Sequence, residues 1–308
     1  MQDRFLIVTS SPHIKSSVTT QRIMLDVLIA LAPTLAASVW LFGPRTLFVT
    51  GISVACCVFF EFISQKLMKR PSTLYDLSAI VTGTLLAFCL PPSIPLWILP
   101  IGAFFAIVVV KQIFGGIGQN FANPAITARI VLFLSFAAYC SDWTSPFAWL
   151  GKADAVSSAT TLVSSETLPP FTDLLFGMRG GCIGETCAIT LILGGIYLLA
   201  RRIISPIIPL SYIASTVLLC FAFGTDPIRT LFGGGLLLGA IFMATDYSTT
   251  PVAPLGKLIF GLGCGVITAL IRAFGSFPEG VSFAILIMNI LTPIIDRTVK
   301  TKPIGDDD

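Results

Sequence analysis

The sequence predicts an all-α polytopic membrane protein of about ten transmembrane helices, laid out as two inverted five-helix repeats with broken helices. Three observations lead there. Of 308 residues, 55% are hydrophobic and 11% charged, at a mean hydropathy of +0.90, where a soluble domain carries roughly 25% charge. The apolar residues gather in ten runs, several shorter than the roughly 20 residues a full crossing takes. The basic residues fall unevenly between those runs, as they do in membrane proteins of fixed orientation. The 24 Phe and 26 Gly suit helices that pack closely and face lipid. A formal charge of +3 is too small to point to nucleic acid.

Residues 1–22 are a polar lead containing Ser11-Pro12-His13, with no cleavable signal expected, because no small-residue cleavage site follows the first apolar run. His13 is the single histidine, and a lone surface histidine needs no function. The first repeat, 23–140, holds the runs 23–42, 46–65, 77–92, 95–114 and 124–140. A connecting loop spans 141–182. The second repeat, 183–297, holds 183–200, 207–223, 230–245, 255–273 and 281–296, and residues 298–308 form a tail. The runs 77–92, 124–140 and 230–245 are the short ones, and interrupted segments at matched places in two halves are the mark of broken helices in an inverted repeat. Gly83-Thr-Leu-Leu-Ala-Phe, before Pro91-Pro92, matches Gly235-Leu-Leu-Leu-Gly-Ala, before the polar turn from Thr245 to Pro251. Lys111-Gln-Ile-Phe-Gly-Gly116 matches Ile271-Arg-Ala-Phe-Gly-Ser276, which makes Phe114 and Phe274 counterparts. Five is an odd number, so the second copy is turned upside down.

Charge placement sets the orientation. With the N-terminus inside, thirteen of the 19 basic residues are cytoplasmic: Arg4, Lys15, Arg22, Lys66, Lys69, Arg70, Lys111, Arg201, Arg202, Lys257, Arg297, Lys300 and Lys302. Arg45, Lys152, Arg179, Arg229 and Arg272 lie outside, and Arg129 within a span. The Lys/Arg bias of cytoplasmic loops therefore puts both termini in the cytoplasm and the 141–182 loop on the extracytoplasmic face of the cell membrane.

Four features carry candidate chemistry. The loop holds Asp154-Ala-Val-Ser-Ser-Ala-Thr-Thr-Leu162, a small-residued polar stretch in which Asp154, Ser157, Ala159 and Thr160 leave a hydroxyl reachable by another protein. A threonine hydroxyl is a weak nucleophile unless an outside active site activates it; taken alone, such a cluster is a polar loop. Gly115-Gly-Ile-Gly-Gln-Asn-Phe-Ala-Asn123-Pro124 approaches a helix start with Asn at the cap and Pro in the first turn. It reads either as an ordinary cap or as a pocket wall with Asn120, Asn123 and Thr127 as donors and acceptors, backed by the partial positive charge of the helix end. Met243-Ala-Thr-Asp-Tyr-Ser-Thr-Thr-Pro251 is a second polar break, where Thr245 and Asp246 are either a solvated loop or part of the same wall. Asp26, Glu61, Asp76 and Glu185 lie in or beside spans, where acids are default candidates for an ion route and equally for structural hydrogen bonding. The eight cysteines show no C-x-x-C spacing, so they read as packing. An iron–sulphur ligand among them would need the remaining ligands from a partner subunit, and no metal site is expected.

Taken in order, Ser11-Pro12-His13, Asn123-Pro124-Ala125, Asp154 to Leu162 and Met243-Ala-Thr-Asp246 resemble the D subunits of the Rnf ion-translocating oxidoreductase complexes, over essentially the whole chain. The stretch at Thr160 is similar to the D-G-x-S-G-A-T-x-L sequence at which a flavin transferase esterifies the FMN phosphate onto threonine. The likeness extends to the B subunits of sodium-translocating NADH:quinone reductases, which carry a longer cytoplasmic lead. Ser158 stands where Gly is usual, and Tyr247 where Pro is common. The resemblance implies a membrane subunit without an independent active site, in a complex that passes electrons between ferredoxin and NAD and moves Na+ or H+. It implies covalent FMN on Thr160 as a phosphoryl threonine, and a second, noncovalent flavin, riboflavin, deeper among the helices between Asn123 and Thr245-Asp246. It implies the other Rnf subunits, membrane lipid and a flavin transferase as partners. A quinone-reductase B-type subunit, or a non-redox channel or transporter of inverted-repeat architecture, is the alternative reading.

Overall fold

The computed structural model describes residues 19–151, 170–275 and 280–299. Asp154, Ser157, Ala159 and Thr160 lie outside the described residues, as does His13. Every regular element among the described residues is helical. Helix α1 (Thr20–Phe42) opens where Thr19 Oγ1 accepts the Arg22 amide at 3.3 Å. It closes at Gly43, whose φ of 83° favours glycine. Pro44 then leads into α2 (Arg45–Leu67), and the two helices pack as neighbours. Next come α3 (Ser78–Phe88) and α4, which is α-helical over Ile98–Phe104 and π-wound over Phe105–Gln112. The half ends with α5 (Pro124–Ser135) and, past a break at Phe136, the short α6 (Ala137–Cys140).

After α7 (Phe171–Phe176), the second half runs through α8 (Ala188–Ala200), α9 (Ile207–Ala222) and α10 (Pro227–Phe232). It continues with α11, helical over Leu236–Leu238 and π-wound over Gly239–Met243, then α12 (Pro254–Phe274) and α13 (Val281–Thr298). Four helices, α1, α2, α12 and α13, are long and apolar enough to cross a membrane, and α3, α4, α5, α8 and α9 are shorter apolar helices.

Each expected apolar run coincides with helix, and the ends differ for local reasons. The run 77–92 stops at Phe88, and 183–200 becomes helical only at Ala188. The run 230–245 splits at Gly233-Gly234-Gly235, where Gly234 and Gly235 take φ values of 61° and 67° that interrupt a helix. The paired glycines do different jobs. Gly83 sits inside α3 against the Val54 backbone, whereas Gly235 precedes α11 and faces the Glu185 carboxylate.

Packing repeats between the halves. Helix α2 lies against α3 and α4, and α9 lies against α10, the π-wound part of α11 and α12; α5 touches α4 as α13 touches α12. Across the halves α1 meets α8 and α5 meets α13. The α9–α12 seam is closed by small residues. A Cβ on Gly261 would overlap Ser211 Oγ, and one on Gly265 would overlap Ser215 Oγ, while Tyr212 and Thr268 share a buried hydroxyl hydrogen bond of 2.8 Å. Following the helices end to end, Lys66, Lys69, Arg70, Lys111, Arg201, Arg202, Lys257 and Arg297 collect where α1 begins. Arg45, Arg229 and Arg272 lie at the opposite end, with Trp40, Trp97 and Trp149.

Candidate functional site

The two π-wound segments meet at one cavity near the end where α1 begins. Lys111, close to the end of the first, and Phe242, in the second, both line it. A π turn inserts a residue and turns side chains out of the helical register, a device frequent at functional sites. The space measures about 780 Å³ with its mouth included. Apolar walls come from Met24 and Val27 of α1, Val81 and Leu85 of α3, and Leu198 of α8; one polar side comes from Asn120, Asn123, Thr245, Asp246 and Ser248. The structure thus brings the two predicted polar breaks, 120 residues apart in sequence, onto one wall.

Asn123 is what joins them. Its Oδ1 caps α5 by accepting the amides of Ala125 and Ile126 at 3.0 and 3.3 Å, and its Nδ2 donates to the Met243 carbonyl at 3.2 Å. With its amide oriented to suit its neighbours, Asn289 of α13 accepts from the Asn123 amide at 3.0 Å and donates to the Thr249 carbonyl at 3.2 Å. The reading of the sequence missed Asn289; the signal was a lone amide in the apolar run Ile287-Met288-Asn289-Ile290. Asp246 accepts from Ser248 Oγ at 2.9 Å and Thr249 Oγ1 at 3.3 Å. Burial pushes its carboxyl above the usual range, and those hydroxyls hold it back. Thr245 Oγ1 donates to the Ile241 carbonyl at 2.7 Å. Asn120 Oδ1 is buried and has no hydrogen-bond partner among the described residues. Thr127 does not line the cavity: its hydroxyl donates to the Asn123 carbonyl at 3.0 Å and so tightens the first turn of α5.

The four acids divide three to one. Glu61, fully buried, holds Lys111, which is 2% exposed. Lys111 Nζ lies 2.7 and 2.8 Å from the two Glu61 oxygens and 2.6 Å from Ser78 Oγ. Gln65 and Gln112 also donate to Glu61 Oε1, at 3.2 and 3.1 Å. Asp76 Oδ1 accepts from Ser78 Oγ at 2.6 Å, so Asp76, Ser78, Lys111 and Glu61 form one chain of polar groups behind the cavity. Lys111 belongs to that wall, although in the sequence it reads only as an inner-loop charge; a lysine inside an apolar run just before a Gly-rich segment was the available signal. Asp26 receives Tyr197 Oη at 2.8 Å and Arg201 Nη2 at 3.3 Å, tying α1 to α8. Glu185 stands apart at the other end of the molecule. Its Oε1 accepts the Cys182 amide at 3.1 Å, and its carbonyl accepts from Arg179 at 3.1 Å. The described residues contain no group of three or more His, Cys, Asp or Glu placed to hold a metal, and all cysteines but the half-buried Cys56 are buried in packing.

A family model described as the NQR2, RnfD, RnfE family matches residues 7–305. The chain is 44% identical to the D subunit of the Na(+)-translocating ferredoxin:NAD(+) oxidoreductase complex of Acetobacterium woodii, covering 99% of this chain and 97% of that one. It is 38% identical to the D subunit of the proton-translocating ferredoxin:NAD(+) oxidoreductase complex of Clostridium ljungdahlii, over 97% and 96% of the two chains. It is 39% identical to the D subunit of the ion-translocating oxidoreductase complex of Stutzerimonas stutzeri, over 95% and 93%.

Proposed function

The chain belongs to the NQR2, RnfD, RnfE family, and from that premise we propose that it is the D-type membrane subunit of an Rnf complex, carrying covalent FMN on Thr160 and a second, noncovalent flavin in the cavity. It works with the other Rnf subunits to couple electron flow between ferredoxin and NAD to Na+ or H+ movement, and a flavin transferase loads Thr160. The observation that carries the second site is the wall of Asn120, Asn123, Thr245 and Asp246, with Asn120 Oδ1 buried and unpaired. What supports a flat heteroaromatic ring there is a polar edge set among apolar side chains, as in small-molecule sites generally. Asn120 Oδ1 would be the acceptor offered to a ligand N–H. Asn123 spends its donors and acceptors within the chain and so positions the wall, and Ser248 and Thr249 hold the Asp246 carboxylate in place. A bound flavin supplies stepwise electron acceptance and release, while the protein supplies position, exclusion of water and electrostatics.

In this reading the repeated packing pattern reflects two inverted five-helix repeats, and the basic end of the molecule is cytoplasmic. The Thr160 loop then faces the extracytoplasmic side, where a phosphodiester charge avoids the cost of membrane depth, at least about 2.5–3.5 kcal/mol. The test is to express the chain with a flavin transferase and view it on a denaturing gel. The wild type fluoresces as a flavoprotein and Thr160→Ala does not; a fluorescent Thr160→Ala, or a dark wild type, removes the covalent-flavin reading.

A further inference from the structure

A second concave site lies on the outer side of the cavity wall. It is a groove between the α8–α9 turn and the first turn of α12, and Ile203, Ile204 and Tyr247 line both spaces. Arg202, Lys257 and Ser205 all line this groove. Neither cation makes a hydrogen bond or ion pair among the described residues, whereas the neighbouring Arg201 is turned to Asp26. Arg202 is held in a left-handed backbone conformation, φ 56°, and Lys257 is half-buried. The N-terminal ends of α9 and α12 flank the groove, and neither has a side-chain cap, so both contribute partial positive charge. Among the described residues, the groove's lining carries two cations and no acidic side chain.

Below the groove the surface changes character. Leu199 lines it, and Ile196, Leu193, Ile192 and Ile189 continue along one exposed face of α8 at helical spacing. The ten rises from Ile189 to Leu199, at about 1.5 Å each, make a stripe of about 15 Å, half of a hydrocarbon core of about 30 Å. A cationic pocket at the end of an apolar stripe one leaflet long matches a phosphate head joined to an acyl chain, and basic pockets between helices are where anionic head groups settle. We propose that this groove binds the phosphate of an anionic phospholipid, with Arg202 and Lys257 as countercharges and the α8 stripe as the track for an acyl chain.

The test is native mass spectrometry of the full chain released from detergent, titrated with phosphatidylglycerol or phosphatidylcholine. Phosphatidylglycerol binds more tightly, excess inorganic phosphate does not displace it, and Arg202→Gln/Lys257→Gln weakens it roughly thirtyfold, from about fivefold per cation. The double variant leaves phosphatidylcholine binding and the thermal midpoint unchanged. A Lys66→Gln/Lys69→Gln variant, which removes two cations elsewhere at the same end, leaves phosphatidylglycerol binding intact. Equal affinity for the two lipids, an unaffected Arg202→Gln/Lys257→Gln variant, or an equal loss in the control variant overturns the site. Displacement by inorganic phosphate reassigns it to a free anion and overturns the lipid.

Discussion

Asn120 and the Glu61–Lys111 pair are the residues on which the site turns, for opposite reasons. Among the described residues Asn120 Oδ1 is an acceptor without a donor, and a buried unpaired carbonyl is costly unless a ligand completes it. Asn120→Ala should therefore lower the yield of noncovalent flavin co-purifying with the chain by roughly three- to tenfold, about the worth of one hydrogen bond, while Thr160-linked fluorescence stays. Equal loss of both signals would instead point to misfolding. The Glu61–Lys111 pair is complete, with both carboxylate oxygens and all three ammonium protons engaged. Removing one partner strands a buried charge at a cost of about 3–5 kcal/mol, whereas replacing both by apolar groups is often neutral. Lys111→Met should lower the thermal midpoint sharply, and Glu61→Leu/Lys111→Met should recover most of it. A double variant no better than the single would show that Glu61 is needed for something besides neutralising Lys111.

At the scale of elements, breaks and seams divide the work. The breaks at 113–123 and 244–253 are tied together by Asn123, Asn289 and Thr292, which hold the Met243 and Thr249 carbonyls and the Asn123 backbone amide. The α9–α12 seam has no such polar ties at its centre beyond Tyr212–Thr268 and depends on close backbone approach. Gly261→Leu or Gly265→Leu must push α12 away from Ser211 or Ser215, and overpacking of this kind costs typically about 1–3 kcal/mol. Each should lower the thermal midpoint in detergent, while Gly51→Leu, on a glycine whose Cβ direction is open, should not. Equal effects at Gly51 and Gly265 would mean that helix propensity rather than the seam is being measured.

Over the whole molecule, the proposed orientation rests on charge asymmetry and puts the end where α1 begins in the cytoplasm. Single-cysteine labelling from intact cells checks it. Lys69→Cys should resist an impermeant thiol reagent and Trp149→Cys should react, and the reverse pattern would invert the assignment. The family, the helical class and the places of the apolar runs were legible in the linear chain, because hydropathy and helix breakers act over a few neighbouring residues. Asn123 could be recognised as a helix cap for the same reason, from Asn-Pro alone. That Asn123 also holds the Met243 carbonyl, that Lys111 backs the same wall, and that Glu185 stands apart from Asp26, Glu61 and Asp76 had no local signature. Those facts follow from which helices are neighbours. Burial in a folded bundle makes every stranded polar group expensive, so partners are chosen across long sequence distances by the packing of the helices, and no window of the sequence contains that choice.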